Sequence, residues 1–270
     1  NIGKLAVCGT VNDLAMNGAV PQYLSCGLIL EEGLPFDELE EILSTMADMA
    51  KLANVQIVTG DTKVVKKGEV DKIYINTAGI GMIPEDIYIG PNFVKPNMDI
   101  ILSGSIGDHS IAVMGERFGL ELSNSIKTDC APLNHMVHAV LQEVGPQVAL
   151  LRDPTRGGVG TVLKEIAEQS QVGIKVEESQ FVIHDEVKSV CDILGYDPLY
   201  LANEGKCIFV VDPTVTDRVL DILHGFQEGR EATRIGVTMD KNIGKVGLQT
   251  SIGGVRLVDL LGEDQVPRIC

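Results

Sequence analysis

The spacing of apolar residues in the first third of the chain predicts three strands and one helix. Residues 27–33 (GLILEEG) are a short apolar run between glycines and predict a buried strand. Residues 55–60 (VQIVTG) and 71–83 (DKIYINTAGIGMI) predict two more strands, and residues 36–53 predict the helix. The apolar positions at helical spacing are Leu39, Ile42, Leu43, Met46, Met49 and Ala50.

A stretch without periodicity separates this part from the rest. Residues 93–99 (FVKPNMD) predict a boundary between a first domain, residues 1–95, and a second domain, residues 96–270. Because the strands and helices of the second domain do not alternate strictly, the pattern favours an α+β fold with helices layered on sheets. Its predicted elements are a strand in DIILSG, helices near 109–118, 133–144, 158–170, 184–194 and 214–226, and strands near 172–177, 206–212, 232–239 and 254–258.

Composition and charge narrow the possible partners. The 270 residues are 44% hydrophobic and 22% charged, which is typical of a globular enzyme with about two domains. A net charge of -16 without any Lys and Arg run argues against nucleic acid as a partner. A nucleotide would need Mg²⁺ or a few well-placed cations beside the carboxylates.

The cysteines and the hydropathy favour a cytoplasmic protein. The six cysteines show no zinc-site spacing, and the sequence shows no signal peptide. No apolar run reaches the roughly 18 residues of a membrane span.

Acidic, glycine-bearing segments are the candidate chemistry, because P-loop, dinucleotide, protein-kinase and serine-hydrolase signatures are absent. Such turns could bring carboxylates and backbone N–H groups to strand ends around Mg²⁺ and phosphates. The local alternative is that each Asp only caps a helix or an Asx turn. The five segments are GTVND (9–13, after a strand-like LAVC), TGDTK (59–63), GSIGDH (104–109), RDPTRGG (152–158) and ANEGK (202–206).

Single side chains in these segments differ in how strongly they indicate function. The default interpretation of Lys63 is a solvated surface lysine. His109 could be a residue at the N-terminus of a helix with no other role. Glu204 lies between apolar residues and a glycine, where carboxylates are seldom buried without a partner. Cys270 is the last residue, and Arg268 is the nearby cation that could favour its thiolate. From chemistry alone, an incidental terminal cysteine is as plausible as a working one.

Several motifs together resemble one family from the first residue to the last. They are NIGKLAVCGTVNDLAMNGAVPQYLSCGLILEEG, IVTGDTK, RDPTRGGV, LANEGK and the terminal PRIC. The chain resembles the HypE family of hydrogenase maturation factors, in the superfamily of aminoimidazole ribonucleotide synthetase and selenophosphate synthetase. The resemblance implies two α/β-layered domains, with the first domain pairing with its copy to form a barrel across a homodimer and with ATP bound near that seam.

The resemblance also implies a reaction and its partners. In this family the terminal cysteine receives a carbamoyl group from HypF, and the S-carboxamide is dehydrated to S-cyanate with ATP. The cyanide then passes to iron on the HypC–HypD complex for nickel-iron hydrogenase. Alternatives are another phosphotransferase of the superfamily acting on a free small molecule, for which the tail would be dispensable, and a docking module without catalysis.

The resemblance assigns roles to specific positions. Cys270 would carry the substrate, with Lys63 and Glu204 stabilising phosphate and abstracting protons. Asp13 and Asp153 would hold Mg²⁺. The implied ATP-binding set is Asn12, Asp13, Asp61, Thr62, Gly157 and Gly158.

The two ends of the chain carry further expectations. Family members have an opening segment before this start, so a chain beginning at Asn1 would lack a phosphate-binding lid and one metal ligand. Residues 259–270 would be a mobile tail with a reach of roughly 40 Å when extended.

Overall fold

A computed structural model describes residues 2–118 and 126–261. Its helices are α1 (Ile2–Met16), α2 (Phe36–Leu52), α3 (Asp108–Phe118), α4 (Asn134–Val144), α5 (Gly158–Gln169), α6 (Asp185–Leu194) and α7 (Thr216–His224). Its strands are β1 (Val20–Glu31), β2 (Gln56–Val65), β3 (Ile73–Met82), β4 (Asp99–Leu102), β5 (Val148–Arg152), β6 (Gly173–Glu177), β7 (Ile208–Val211), β8 (Thr233–Met239), β9 (Val246–Gln249) and β10 (Val255–Val258). Cys270 and Arg268 lie outside the described residues.

The first sheet has the order β2-β1-β3, with β1 parallel to β2 and antiparallel to β3. Helices α1 and α2 cover one face, where Leu24, Cys26 and Met46 are buried with Val7 and Val11 of α1. Exposure alternates along β3, as expected for a strand with one buried face. No helix of the described residues covers the other face, called the outer face below. Its exposed large side chains are Tyr23, Ile29, Tyr74, Ile80 and Met82.

The second sheet has seven strands in the order β10-β9-β6-β8-β4-β7-β5. Helix α5 packs on one face, and α4 with α7 packs on the other. The central strands β4 and β7 are therefore buried on both faces, and their sequences are continuous apolar runs (IIL and IFVV). The layered α+β arrangement is confirmed, and the domain boundary at residue 95, which lies between the two sheets, stays a prediction.

Helix α1 corrects the sequence interpretation of the opening residues. A strand-like 5–8 followed by a turn at 9–13 is wrong, because both segments belong to one helix. Glycines hid the helical signal, yet one of them is needed for packing. A β-carbon on Gly3 would lie 2.3 Å from the Ile42 carbonyl oxygen of α2. The end of α1 also packs Met16 into the core of the second sheet, so α1 joins the two parts.

Two short strands, β5 and β9, were not predicted. Each is only four or five residues long and has too few residues to show a period. The predicted helices of the second domain are confirmed. Among the described residues, no helix combines the length and the apolarity needed to cross a membrane.

Candidate active site

Four segments of the chain converge on the turn that carries Glu204. The Glu204 backbone N–H donates to Asp129 Oδ1 at 3.0 Å, and its carbonyl oxygen accepts from Asn12 Nδ2 of α1 at 3.3 Å. The preceding Asn203 donates from its backbone N–H to the Pro154 carbonyl at 3.1 Å. Its side-chain oxygen accepts from the Gly107 N–H at 2.8 Å. Glu204 is thus held from α1, the segment before α3, the segment before α4 and the loop before α5.

Two carboxylates, Asp13 and Asp153, lie on one side of this turn. Asp13 follows Asn12 on α1, and Asp153 follows the end of β5. Both line a cleft of about 280 Å³ together with Asn17, Arg152 and Gln169. The cleft therefore joins α1 of the first domain to β5 and α5 of the second.

Burial and mutual repulsion define the electrostatics of these acids. Burial raises the pKa of Asp13, and the charge of Asp153 adds to this effect. Burial also raises the pKa of Asp153. Burial raises the pKa of Glu204 to about 7, with further contributions from the charges of Asp129, Asp153 and Asp13. A carboxyl that titrates near neutral pH is suited to accept a proton.

The Asp13 and Asp153 carboxylates fit a magnesium-nucleotide ligand. Mg²⁺ usually takes one or two protein carboxylates and completes its coordination with water and phosphate oxygens. The exposed Asp13 and the partly buried Asp153, which both line the open cleft, provide that partial set. Among residues 2–118 and 126–261, no group of three or more His, Cys, Asp or Glu could hold a metal by itself. A cation here would therefore need the oxygens of its phosphate ligand.

Three of the sequence-predicted residues lie elsewhere in this chain. Asp61, Thr62 and Lys63 are exposed residues in the middle of β2 rather than in a turn at a strand end. Asp61 pairs with Gly27 and Lys63 with Ile29, so both point to the outer face, away from α1. The expectation of a turn at a strand end is wrong for these three residues. Asp61 and Lys63 lie on the face opposite α1, whereas Thr62 pairs with Leu28 and points to the face that α2 covers.

Asn12, which was predicted to lie beside the phosphates of ATP, is buried and hydrogen-bonded inside the protein. It is 3% exposed, and its Nδ2 also donates to the Ala131 carbonyl at 3.0 Å. Its Oδ1 accepts from the Leu133 N–H at 2.8 Å. Since both polar atoms are engaged inside the protein, Asn12 positions the Glu204 turn rather than presenting its amide to a phosphate.

The predicted glycines have a steric role. Gly157 and Gly158 have φ of 73° and 62° at the start of α5, a backbone conformation that favours glycine. A β-carbon on Gly158 would lie 2.6 Å from the carbonyl oxygens of Leu199 and Leu201. These glycines let the loop carrying Asp153 approach the segment that leads to Glu204.

His109 is buried behind the site. It is 1% exposed, its Nδ1 lies 2.8 Å from Thr128 Oγ1, and burial lowers its pKa. His109 therefore supports the segment before α4 and does not face the cleft residues described above.

Sequence reasoning missed three charged residues of the site. Arg156 lowers the pKa of both Asp13 and Glu204, so this exposed cation lies close to the two acids. Asp129 and Lys206 flank Glu204 and form an ion pair at 3.4 Å. Arg156 and Lys206 could have been selected from the RDPTRGG and ANEGK segments. Asp129 lies in a segment that carries no recognised pattern.

The raised pKa of Glu204 makes a prediction about stability. A carboxyl whose pKa rises from 4.5 to about 7 on folding destabilises the folded state as pH increases through that range. Above pH 7 we expect Glu204→Gln to unfold at a higher urea concentration than the parent, with a free energy of unfolding larger by up to about 3 kcal/mol. At pH 4.5 we expect little difference between the two proteins. Urea unfolding of the metal-free proteins at both pH values measures this. Equal stability at pH 8 would contradict it.

Comparison with known proteins agrees with this architecture. The N-terminal domain model of AIR synthase related proteins matches residues 1–83, and the C-terminal domain model matches residues 95–249. The two layered domains with acids between them therefore define a protein of the AIR synthase related class.

The similarity extends to individual relatives. Carbamoyl dehydratase HypE of Rhizobium leguminosarum bv. viciae is 47% identical over 271 residues, covering 100% of this chain and 77% of the relative. A crystal structure of HypE in complex with ATP is 44% identical with a TM-score of 0.95, covering 100% of this chain and 82% of that chain. A HypE–HypF complex is 45% identical with a TM-score of 0.93, covering 97% and 85%. The chain belongs to the HypE family of carbamoyl dehydratases, and the prediction of such an enzyme is confirmed.

Proposed function

We propose that the protein uses ATP to dehydrate the S-carboxamide on its own Cys270 to an S-cyanate, and so supplies cyanide for the nickel-iron hydrogenase site. The observation that carries the proposal is Glu204, a buried carboxyl with a pKa of about 7 beside the Asp13 and Asp153 cleft. The family relationship supplies the ATP-dependent dehydration.

The chemistry requires an activated oxygen and a proton acceptor. An amide oxygen leaves poorly, so transfer of a phosphoryl group from ATP to that oxygen converts it into a phosphate leaving group. Cleavage of the C–O bond and loss of both N–H protons then give the nitrile. Glu204 is the group placed to accept a proton from that nitrogen. When bound at Asp13 and Asp153, Mg²⁺ would neutralise phosphate charge, and Arg156 would add positive charge beside it.

Asp259, near the end of the described residues, is held by Tyr200, close in sequence to the Glu204 turn. Tyr200 donates its hydroxyl hydrogen to the Asp259 carbonyl at 2.7 Å, and Lys164 lies 3.5 Å from the Asp259 carboxylate. Tyr200 is four residues before Glu204. The nine residues beyond Leu261 could span about 30 Å at full extension. A segment of this length is compatible with the proposed approach of Cys270 to the Glu204 turn; residues 262–270 themselves lie outside the described part.

Lys63 can take part only if a second copy contributes it. It lies on the outer face beside Asp61, away from Asp13. The same face exposes large apolar side chains, which is typical of a surface covered by a partner. We therefore propose that two copies pair their outer faces to form a barrel, and that Asp61 and Lys63 of one copy complete the ATP site of the other.

Intact mass measurement tests the proposed reaction. We expect the protein to gain a carbamoyl group after incubation with HypF, carbamoyl phosphate and ATP, and then to lose water. Cys270→Ala should show neither change while keeping its fold and ATP binding. A dehydrated product on Cys270→Ala would overturn the assignment.

A complementation experiment tests the shared site. A purified heterodimer with Lys63→Ala in one copy and Glu204→Gln in the other should recover about half of the parent activity, since one of its two sites then has both residues. Each homodimeric variant should be inactive. A heterodimer as inactive as both homodimers would show that Lys63 and Glu204 act within one chain, and a fully active Lys63→Ala homodimer would show that Lys63 is not needed.

The partners and location follow from the same proposal. The proposed donor is HypF, as in the HypE–HypF complex, and the proposed acceptor is HypC–HypD. A reducing cytoplasm is the proposed location, and the five described cysteines, all buried, form no disulfides.

A further inference from the structure

Asp129 lies in a segment that is firmly held although it forms neither helix nor strand. Residues 126–133 connect to α4. Within this segment the Ala131 carbonyl and the Leu133 N–H both bond to the side chain of Asn12. Thr128 Oγ1 accepts from the Cys130 N–H at 3.2 Å and contacts His109. Side chains from α1 and α3 therefore fix the position of Asp129.

The carboxylate of Asp129 reaches both sides of Glu204. Its side chain is only 4% exposed. Oδ1 accepts from the Glu204 N–H at 3.0 Å, and Oδ2 lies 3.4 Å from Lys206 Nζ without forming a hydrogen bond. Lys206 is itself 8% exposed. The Asp129 carboxylate thus contacts the backbone of Glu204, which precedes Gly205, and the side chain of Lys206, which follows it.

The backbones of the two segments are also in close contact. A β-carbon on Gly205 would lie 1.8 Å from the Asp129 carbonyl oxygen. Because real β-carbons never approach so closely, only glycine permits this arrangement. The Glu204 turn and the Asp129 segment therefore act as one unit, in which a shift of Asp129 would shift Glu204.

We propose that Asp129 is the positioning residue of the dehydration, which holds the Glu204–Lys206 turn so that the Glu204 carboxylate meets the substrate nitrogen. This inference rests on the proposed role of Glu204. In this role Asp129 acts through the Glu204 backbone rather than on the substrate or the nucleotide. Since misplacement of a reacting group by about 1 Å can cost roughly a hundredfold in rate, loss of this contact lowers kcat and leaves ATP binding unchanged.

The experiment compares Asp129→Ala and Asp129→Asn in the cyanation reaction at saturating HypF-carbamoylated protein. We expect Asp129→Ala to lower kcat about tenfold or more, with KM for Mg-ATP within about twofold of the parent, because a hydrogen bond to a carboxylate is removed. Asp129→Asn keeps an oxygen for the Glu204 N–H and recovers a large part of that loss. A KM increase without a kcat decrease would overturn the proposal, as would parent-like kcat in Asp129→Ala.

A second readout does not depend on activity. The Glu204 amide proton, followed by nuclear magnetic resonance of the ¹⁵N-labelled protein, should move upfield in Asp129→Ala and much less in Asp129→Asn. An unchanged Glu204 resonance in Asp129→Ala would overturn the proposal. If Asp129→Ala fails to fold, the Asn variant alone decides: it must keep the Glu204 resonance near its parent position and kcat within about tenfold of the parent.

Two controls separate this proposal from others. Asp212 also accepts a backbone N–H, from Thr214 at 2.9 Å, but it lies at the opposite end of β7. Asp212→Ala should therefore leave kcat unchanged. Glu204→Gln is assayed in parallel: its activity would overturn the role of Glu204 itself, whereas an inactive Glu204→Gln beside a fully active Asp129→Ala overturns only the positioning role.

Discussion

Glu204→Gln is expected to abolish cyanate formation on Cys270, with a fall in turnover of about 10²–10⁴-fold. Glutamine preserves the size of the side chain and the backbone hydrogen bonds to Asp129 and Asn12, which do not involve the carboxyl group. It cannot accept a proton. The measurement is the rate of water loss from carbamoylated protein by intact mass.

The pH dependence strengthens this result. A pKa near 7 means that the parent rate should rise as pH increases through neutrality, because the base must be deprotonated. Mg²⁺ bound nearby would shift the rise to lower pH. Glu143→Gln, which removes an exposed acid paired with Arg218, should leave the rate unchanged. Cyanate formation by Glu204→Gln at the parent rate would exclude Glu204 as the base.

Asp13→Asn is expected to weaken Mg-ATP binding by roughly ten- to a hundredfold and to reduce turnover further. Asparagine retains an oxygen but loses the charge that would hold the cation. The same change should stabilise the metal-free protein at neutral pH, because burial and Asp153 both disfavour the charged form of Asp13. Calorimetric titration with Mg-ATP and urea unfolding measure the two effects.

Weaker Mg-ATP binding together with greater stability distinguishes an acid that binds a ligand from one that stabilises the fold. Loss of a structural carboxylate would lower both binding and stability. The matched control is Asp48→Asn on the exposed side of α2, which should change neither quantity. Parent-like Mg-ATP affinity in Asp13→Asn would contradict the assignment of Asp13 to the cation site.

The elements of the second domain were largely predictable, because their signals are local. The helices from α4 to α7 have apolar faces at helical spacing, and the apolar run of β7 is bounded by a glycine turn and Asp212. Glu204 could also be selected, since a carboxylate between an apolar segment and a glycine is unusual. Helix α1 could not be identified, because its glycines and small residues weaken the local preference while serving contact with α2.

The sequence by itself determined the family, through motifs spread over the chain, and the chemical types present, namely acids in short glycine-bearing segments and the thiol of Cys270. Only the tertiary structure decided which of these groups meet. It brought Asp13, Asp153 and Glu204 together, added Asp129 from a segment without a pattern, and placed Lys63 on the opposite face of the first sheet. The physical reason is that the spacing of apolar side chains along the sequence indicates only the local helix or strand. Which face of a sheet is covered, and which distant segment approaches it, depend on packing between residues far apart in the chain, such as Asp129 and Glu204 (75 positions) and Asn12 and Glu204 (192 positions).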